Sequence, residues 1–271
     1  MSDRGVPGAT APAFDAPPVV EVALGLQFSP LLSLRTIEMA ALREHWRSRY
    51  PIVQEQPPLP ATIESASGVS QVQFVVGPGI QSRIWFLDEA QVELVQLQND
   101  RLTVNWRQIV AGTEYPHYAH VRSIFAQRLS DLVSFVDESQ LGTLEVTQVE
   151  VTYINAIEPA DGKLGRLEHA LRTWEGPTVS TLGDLEQART ALVFSVLGFG
   201  RPPVRMYVAA EPAHRPTGDP VIFLTLTVRG APEAETAQAA LEFMDQAHDV
   251  VIKSFVELTP DEMQEKWGRR Q

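Results

Sequence analysis

His117 and His120 stand three residues apart in the run EYPHYAH (114–120), at the start of a helical stretch. Histidines at that spacing share one helix face and can hold a metal together. A tetrahedral site needs further ligands, and the chain has no cysteine and no second histidine cluster to supply them. Pro116 and an inward Tyr118 account for the same segment as an ordinary helix entry. His248 falls on the apolar stripe of a late helix, with Asp249 and Ser254 near it in sequence. No nucleophile pattern surrounds it, so it reads as a buried histidine with one hydrogen-bond partner. The glycine-bearing run GFGRPP (198–203) lacks a phosphate-loop pattern and leads into a strand, where no helix N-terminus could cradle an anion. No catalytic residue, metal ligand or cofactor is assigned from these features.

A larger constellation comes from arginines at alternating strand positions. Arg83, Arg101, Arg107, Arg205 and Arg229 fall opposite the apolar residues of their segments, on a face that also carries Glu21, Glu150 and Tyr207. Five guanidiniums against two carboxylates is a local positive excess, and the planar fork of arginine suits carboxylate or phosphate. One reading is a groove for an anionic ligand, an acidic peptide or a nucleic-acid segment. The other is that Arg and Thr simply solvate the open side of an antiparallel sheet.

The elements that must position these residues follow from periodicity. Residues 20–28 alternate as Val20, Val22, Leu24, Leu26 and Phe28 against polar or small neighbours, which is a strand with one buried face. A helix capped by Ser33 carries Leu34, Ile37, Ala41, Trp46 and Tyr50, and Pro51 ends it. Residues 54–70 read as a proline-bearing loop. Strands are predicted at 71–76, 82–87, 92–98 and 101–107, the last two joined by an Asn99-Asp100 turn. A helix with Tyr118, Val121, Phe125, Leu129, Leu132 and Val136 closes this half. The order then begins again: a strand at 145–157, a short helix at 164–174, strands at 191–197, 204–209 and 221–229, and a helix over 233–258 with Ala237, Leu241, Met244, His248, Val251 and Phe255 on one stripe.

The expected fold is therefore α+β, a tandem β-α-β4-α repeat forming one curved antiparallel sheet with helices on one face. Its parts are a disordered tail at 1–16, a first half at 17–143, a second at 144–258 and a short C-terminal helix at 259–271. The topology resembles the duplicated TATA-binding-protein-like fold. In the last segment Thr259 and Glu262 form a capping box with Pro260 at the first helical position. Met263 and Trp267 then share one side of a helix too short to stand alone. They dock on the body or on a partner.

The 271 residues carry a formal charge of -12, which opposes general nucleic-acid binding. The absence of cysteine fits a reducing, cytoplasmic setting, and no window approaches the roughly 18 apolar residues of a membrane span. The runs PPVVEVALGLQFSPL (17–31), Tyr115-Pro116-His117-Tyr118 and the stretch from His248-Asp249 to Trp267 resemble a sporadically distributed bacterial protein family of unknown function and similar length. That resemblance implies a bacterial source and carries no chemistry. The functional expectation is a non-enzymatic binding or interaction protein that uses the arginine face and the C-terminal helix, with an unknown protein partner, an anionic ligand or a second copy as its target. The alternatives are a small-molecule sensor or enzyme with a pocket between sheet and helix, using Glu150, Arg229 or His248, and nucleic-acid contact through the sheet.

Overall fold

The computed structural model describes residues 13–65, 71–73, 82–110, 112–159, 162–177 and 181–270. In chain order the elements of the first part are β1 (Ala13–Phe14), β2 (Val19–Phe28), α1 (Thr36–Trp46), β3 (Ile52–Gln56), β4 (Ala61–Ile63), β5 (Gln71–Gln73), β6 (Arg83–Leu87), β7 (Glu93–Gln98), β8 (Arg101–Arg107) and α2 (His117–Glu138). There follow β9 (Val146–Ile157), a single 3-10 turn (Leu167–His169), β10 (Thr190–Val196), β11 (Arg201–His214), β12 (Pro220–Ala231), α3 (Ala237–Leu258), α4 (Asp261–Lys266) and β13 (Arg269–Arg270).

The α+β expectation holds. Nine strands form one antiparallel sheet in the order β10-β11-β12-β9-β2-β8-β7-β6-β3. Outward from the central β2–β9 pair, each side places its last strand first and its earlier strands beyond. One side ends at β3, the other one strand sooner at β10. The alternating apolar residues point to the helices: Val22, Leu24 and Leu26 of β2 pair with Trp106, Val104 and Leu102 of β8, and all are buried. The stripe of α2 lands as its spacing predicts, with Val121, Phe125, Leu129, Leu132 and Val136 in the core. Trp46 at the end of α1 donates its indole N–H to Asp131 Oδ2 of α2 at 2.8 Å, tying the two helices together.

Several local expectations are corrected. Helix α1 starts after Arg35, whose backbone N–H is accepted by the Glu38 carboxylate at 3.1 Å, and it buries Met39 and Leu42 while Ile37 faces out. The stretch read as a loop holds two strands. One, β3, joins the main sheet; the other, β4, pairs with β5 in a separate two-stranded ribbon. Residues 74–76 of the predicted strand 71–76 lie outside the described residues. The second half has no helix at 164–174. One 3-10 turn stands there, with Leu164, Leu167, Ala170 and Leu171 buried in place of a helical stripe.

The first and last described strands meet. Residues 1–12 of the expected tail lie outside the described part, but Ala13 and Phe14 pair with Arg270 and Arg269. Thr259 does not cap α4. Its hydroxyl donates back to Phe255 O at 2.6 Å and closes α3, and Pro260 sits at the α4 N-cap. Met263 and Trp267 are buried on the chain's own body, the Trp267 ring 5.4 Å from Phe255 and 6.3 Å from Phe14. Packing against the core, rather than an interface with a partner, explains both residues.

Candidate functional site

The arginine face is not the bare platform expected from alternation. Residues 57–65 cross it as a strap, held by three buried glutamines whose side-chain amides imitate a neighbouring strand. Gln98 accepts from the Leu59 N–H and donates to the Leu59 carbonyl, both at 2.9 Å. Gln27 does the same to Thr62, at 3.0 and 2.9 Å. Gln148 accepts from Glu64 N at 3.0 Å and donates to the Thr62 carbonyl. A side-chain amide presents a donor and an acceptor side by side, as a backbone peptide group does, and can satisfy a backbone N–H and carbonyl together.

The strap delivers Glu64 into the arginines. Its carboxylate, with the side chain 3% exposed, lies 2.5 Å from Arg205 Nη1 and 3.5 Å from Arg229 Nη1, and it accepts the Tyr207 hydroxyl at 2.7 Å. Glu150 takes Arg229 from the other side, Oε2 to Nε. Four of the predicted residues, Glu150, Arg205, Tyr207 and Arg229, thus meet in one cluster that the chain neutralises itself. Arg101 donates to Gln27 Oε1 and to the Pro60 carbonyl, each at 2.9 Å, and burial pushes its guanidinium below the usual value. Arg83 and Arg107 lie apart from that cluster, their guanidiniums 5.3 and 6.0 Å from the centre of the Trp85 ring, and bond to Gln96 and to the Gln91 carbonyl. A polar recess of about 110 Å³ remains under the strap between Arg101, Thr103, Gln148 and Arg229.

The other side of the sheet holds a larger and chemically different space. A cavity of about 360 Å³ opens between the central strands and helices α2 and α3. Its floor is Val19 of β2 with Tyr153 and Asn155 of β9. One wall is Tyr115, His117, Tyr118 and Ala119 at the start of α2, the other His248, Val251, Ile252 and Phe255 of α3. Ala13, Phe14, Pro17 and Pro18 form the rim. Most of this lining is carbon. Strand alternation puts Tyr153 on the helix side, since it pairs with Val22, and the α3 stripe brings His248 above it.

The polar atoms form two hydrogen-bonded groups that meet through a ring stack. Tyr115 and Tyr153 hydroxyls lie 3.1 Å apart, and the Tyr153 hydroxyl is 2.9 Å from His248 Nδ1. Tyr118 stacks on the imidazole with ring centres 3.9 Å apart and planes within 5°, and its hydroxyl donates to Asp245 Oδ1 at 2.8 Å. Arg122 holds the same carboxylate with two bonds of 2.9 Å. Burial sets the protonation here. It pushes His248 below its ordinary value, against the opposing pull of Asp249 and Asp245. It raises the Tyr115 phenol to about 12 and moves Tyr153 and Tyr118 higher as well. All four rings are uncharged at neutral pH. His117 completes the wall with φ of 67°, a left-handed conformation rare outside glycine and found at ligand sites more often than elsewhere.

The sequence singled out Tyr118 and His248, and the single-partner reading of His248 is what the geometry shows. Tyr153 and Tyr115 were legible only as a strand and a helix entry, and the aromatic cluster exists because β9, α2 and α3 converge. His117 and His120 face different partners: His117 the cavity, His120 the Glu93 carboxylate at 3.5 Å. No family model matches this chain, and no curated protein or solved structure matches it significantly.

Proposed function

We propose that the protein binds a small, uncharged, largely apolar molecule in the cavity between the sheet and helices α2 and α3, and that this binding is its function rather than catalysis. The observation that carries the reading is a carbon-lined space of about 360 Å³ with a hydrogen-bonded chain, Tyr115–Tyr153–His248, running from one wall across the floor to the other. That is the composition of small-molecule sites: apolar walls for affinity and a few converging polar groups for orientation. The volume suits a one- or two-ring molecule.

The chain can run in either direction. With His248 accepting at Nδ1, Tyr153 donates to it and Tyr115 donates to Tyr153. With the other tautomer the order reverses, and Tyr115 keeps its proton for an acceptor on the ligand. The site therefore orients a molecule carrying one hydroxyl, amine or carbonyl. A charged ligand fits poorly, because the rings are neutral and Asp245 is already satisfied by Arg122 and Tyr118. With the imidazole value lowered and the phenols raised, the site holds no ready proton donor at neutral pH, which disfavours general-acid chemistry there.

The neutral fluorophore N-phenyl-1-naphthylamine is a direct probe. Titration into the full chain should raise its emission with saturation, and Val251→Trp, which fills the cavity, should abolish the rise. No saturable rise, or an unchanged one in Val251→Trp, overturns the reading. The mirrored strand order about β2–β9 supports a companion proposal, that residues 17–143 and 144–258 are two copies of one unit in a TATA-binding-protein-like arrangement. A cytoplasmic setting accords with the cysteine-free composition, and a bacterial source with the family resemblance of residues 17–31, 115–118 and 248–267.

A further inference from the structure

Strand β10 forms one end of the sheet, and among the described residues its only ladder partner is β11. An unpaired edge offers a row of backbone donors and acceptors to any other strand, and proteins usually blunt it with charge, proline or cover. The opposite end is blunted in this way: β3 carries Glu55, and Pro57-Pro58 follow it at once. The seven residues of β10, TALVFSV, contain no charge and no proline.

Apolar exposure concentrates at the same place. Of twelve exposed large hydrophobic residues among those described, five (Leu182, Leu185, Val193, Phe194 and Leu197) fall within residues 182–197. Val193 is 55% exposed and lies opposite Tyr207, on the arginine side. Phe194 is 44% exposed and lies opposite Met206, on the helix side. Among the described residues, both surfaces of the edge are thus apolar and its backbone has no ladder partner beyond β11. The position beyond β10 is also the one that β3 fills beside β6 at the other end of the sheet.

We propose that β10 pairs antiparallel with β10 of a second copy of this chain, about a twofold axis near Val193 and Phe194, so that two nine-stranded sheets join edge to edge. A second copy is the occupant that the chemistry selects. An antiparallel edge is complementary to itself under a twofold axis, each unpaired donor meeting the acceptor of its mate. A net charge of -12 per chain repels two copies over most approaches. Pairing through an uncharged strand avoids that repulsion. With Val193 on the axis, Arg189 faces Leu197 of the second copy, so like charges do not meet at the strand ends.

Two experiments on the full chain decide it. In sedimentation velocity the 30.0 kDa chain should run as a dimer of twice that mass, and Val193→Lys with Phe194→Lys should return it to the monomer with an unchanged circular dichroism spectrum. The cysteine-free background makes the second test clean. Residues opposite each other in an antiparallel pair are about 4.5–5.5 Å apart, within disulfide range. Val193→Cys should therefore oxidise to a covalent dimer, and Val53→Cys on β3 should not. A monomer at about 100 µM, where a micromolar interface is nearly saturated, overturns the proposal. So does a dimer that survives the lysine pair, or cross-linking as strong from Val53→Cys.

Discussion

Replacing Glu64 by glutamine isolates what holds the strap to the sheet. The native carboxylate is 3% exposed and lies against Arg205, whose side chain is itself almost wholly buried, with the Tyr207 hydroxyl as a further donor. Arg229 keeps Glu150 in the variant, so the loss falls on Arg205, which retains only the Ser65 carbonyl among the bonds described. Breaking one side of a buried ion pair costs about 3–5 kcal/mol, because the remaining charge stays out of water. The retained amide oxygen and the Ser65 carbonyl place Glu64→Gln at the low end, about 3 kcal/mol. Adding Arg205→Met removes the orphaned charge and should recover most of that loss. Urea unfolding of the two single variants and the double variant measures both terms. A Glu64→Gln cost below about 1 kcal/mol, the range of a solvent-screened pair, or a double variant as unstable as the sum of its parts, would refute the buried-pair argument. Binding of the naphthylamine probe on the far side of the sheet should be unaffected.

Other outcomes follow from the same geometry. Gln98→Leu leaves the Leu59 N–H and carbonyl without their shared partner and should cost about 1–3 kcal/mol in the same assay; a neutral result would show the strap is not held by its glutamines. Trp267→Ala should cost about 3–5 kcal/mol, as for other buried aromatics, whereas a surface-docked helix would lose under about 1 kcal/mol. The His248 linkage has a definite sign. Because the folded value lies below 6.5, the unfolded chain takes up the proton first as pH falls, so the stability due to neutral His248 is complete above about 6.5 and lost on acidification. The melting-temperature gap between native protein and His248→Gln should shrink from pH 8 to pH 5; a constant gap contradicts the assigned burial.

Periodicity carried the reading of the sequence where apolar residues alternate with polar or small ones across the two faces of an element. β2, β8, α2 and the C-terminal part of α3 were legible for that reason. It failed where burial comes from elsewhere. In β3 the edge position leaves Val53, Gln54 and Glu55 exposed, so no alternation is imprinted. In residues 57–65 the contacts run through backbone atoms and glutamine amides, which leave no mark on the hydrophobic pattern. The C-terminal capping box was a true pattern in the wrong competition, since Thr259 also sits where α3 needs a last acceptor-bonded hydroxyl. At the arginine face the residues were identified correctly, and four of them do converge. Their counter-charge, Glu64, lay in a segment without periodic signal, so two of the five guanidiniums belong to a neutral cluster that was only half seen. The cavity depends on elements distant in sequence, and only its two histidines and Tyr118 announced themselves.

A crystal structure of the full chain soaked with N-phenyl-1-naphthylamine tests the central claim most directly. The account predicts density for the ring system among Tyr118, Val251 and Phe255, with its amine within hydrogen-bonding reach of the Tyr115–Tyr153–His248 chain. Density only at the arginine face or on the surface, with the space between the sheet and α3 unoccupied, would contradict it.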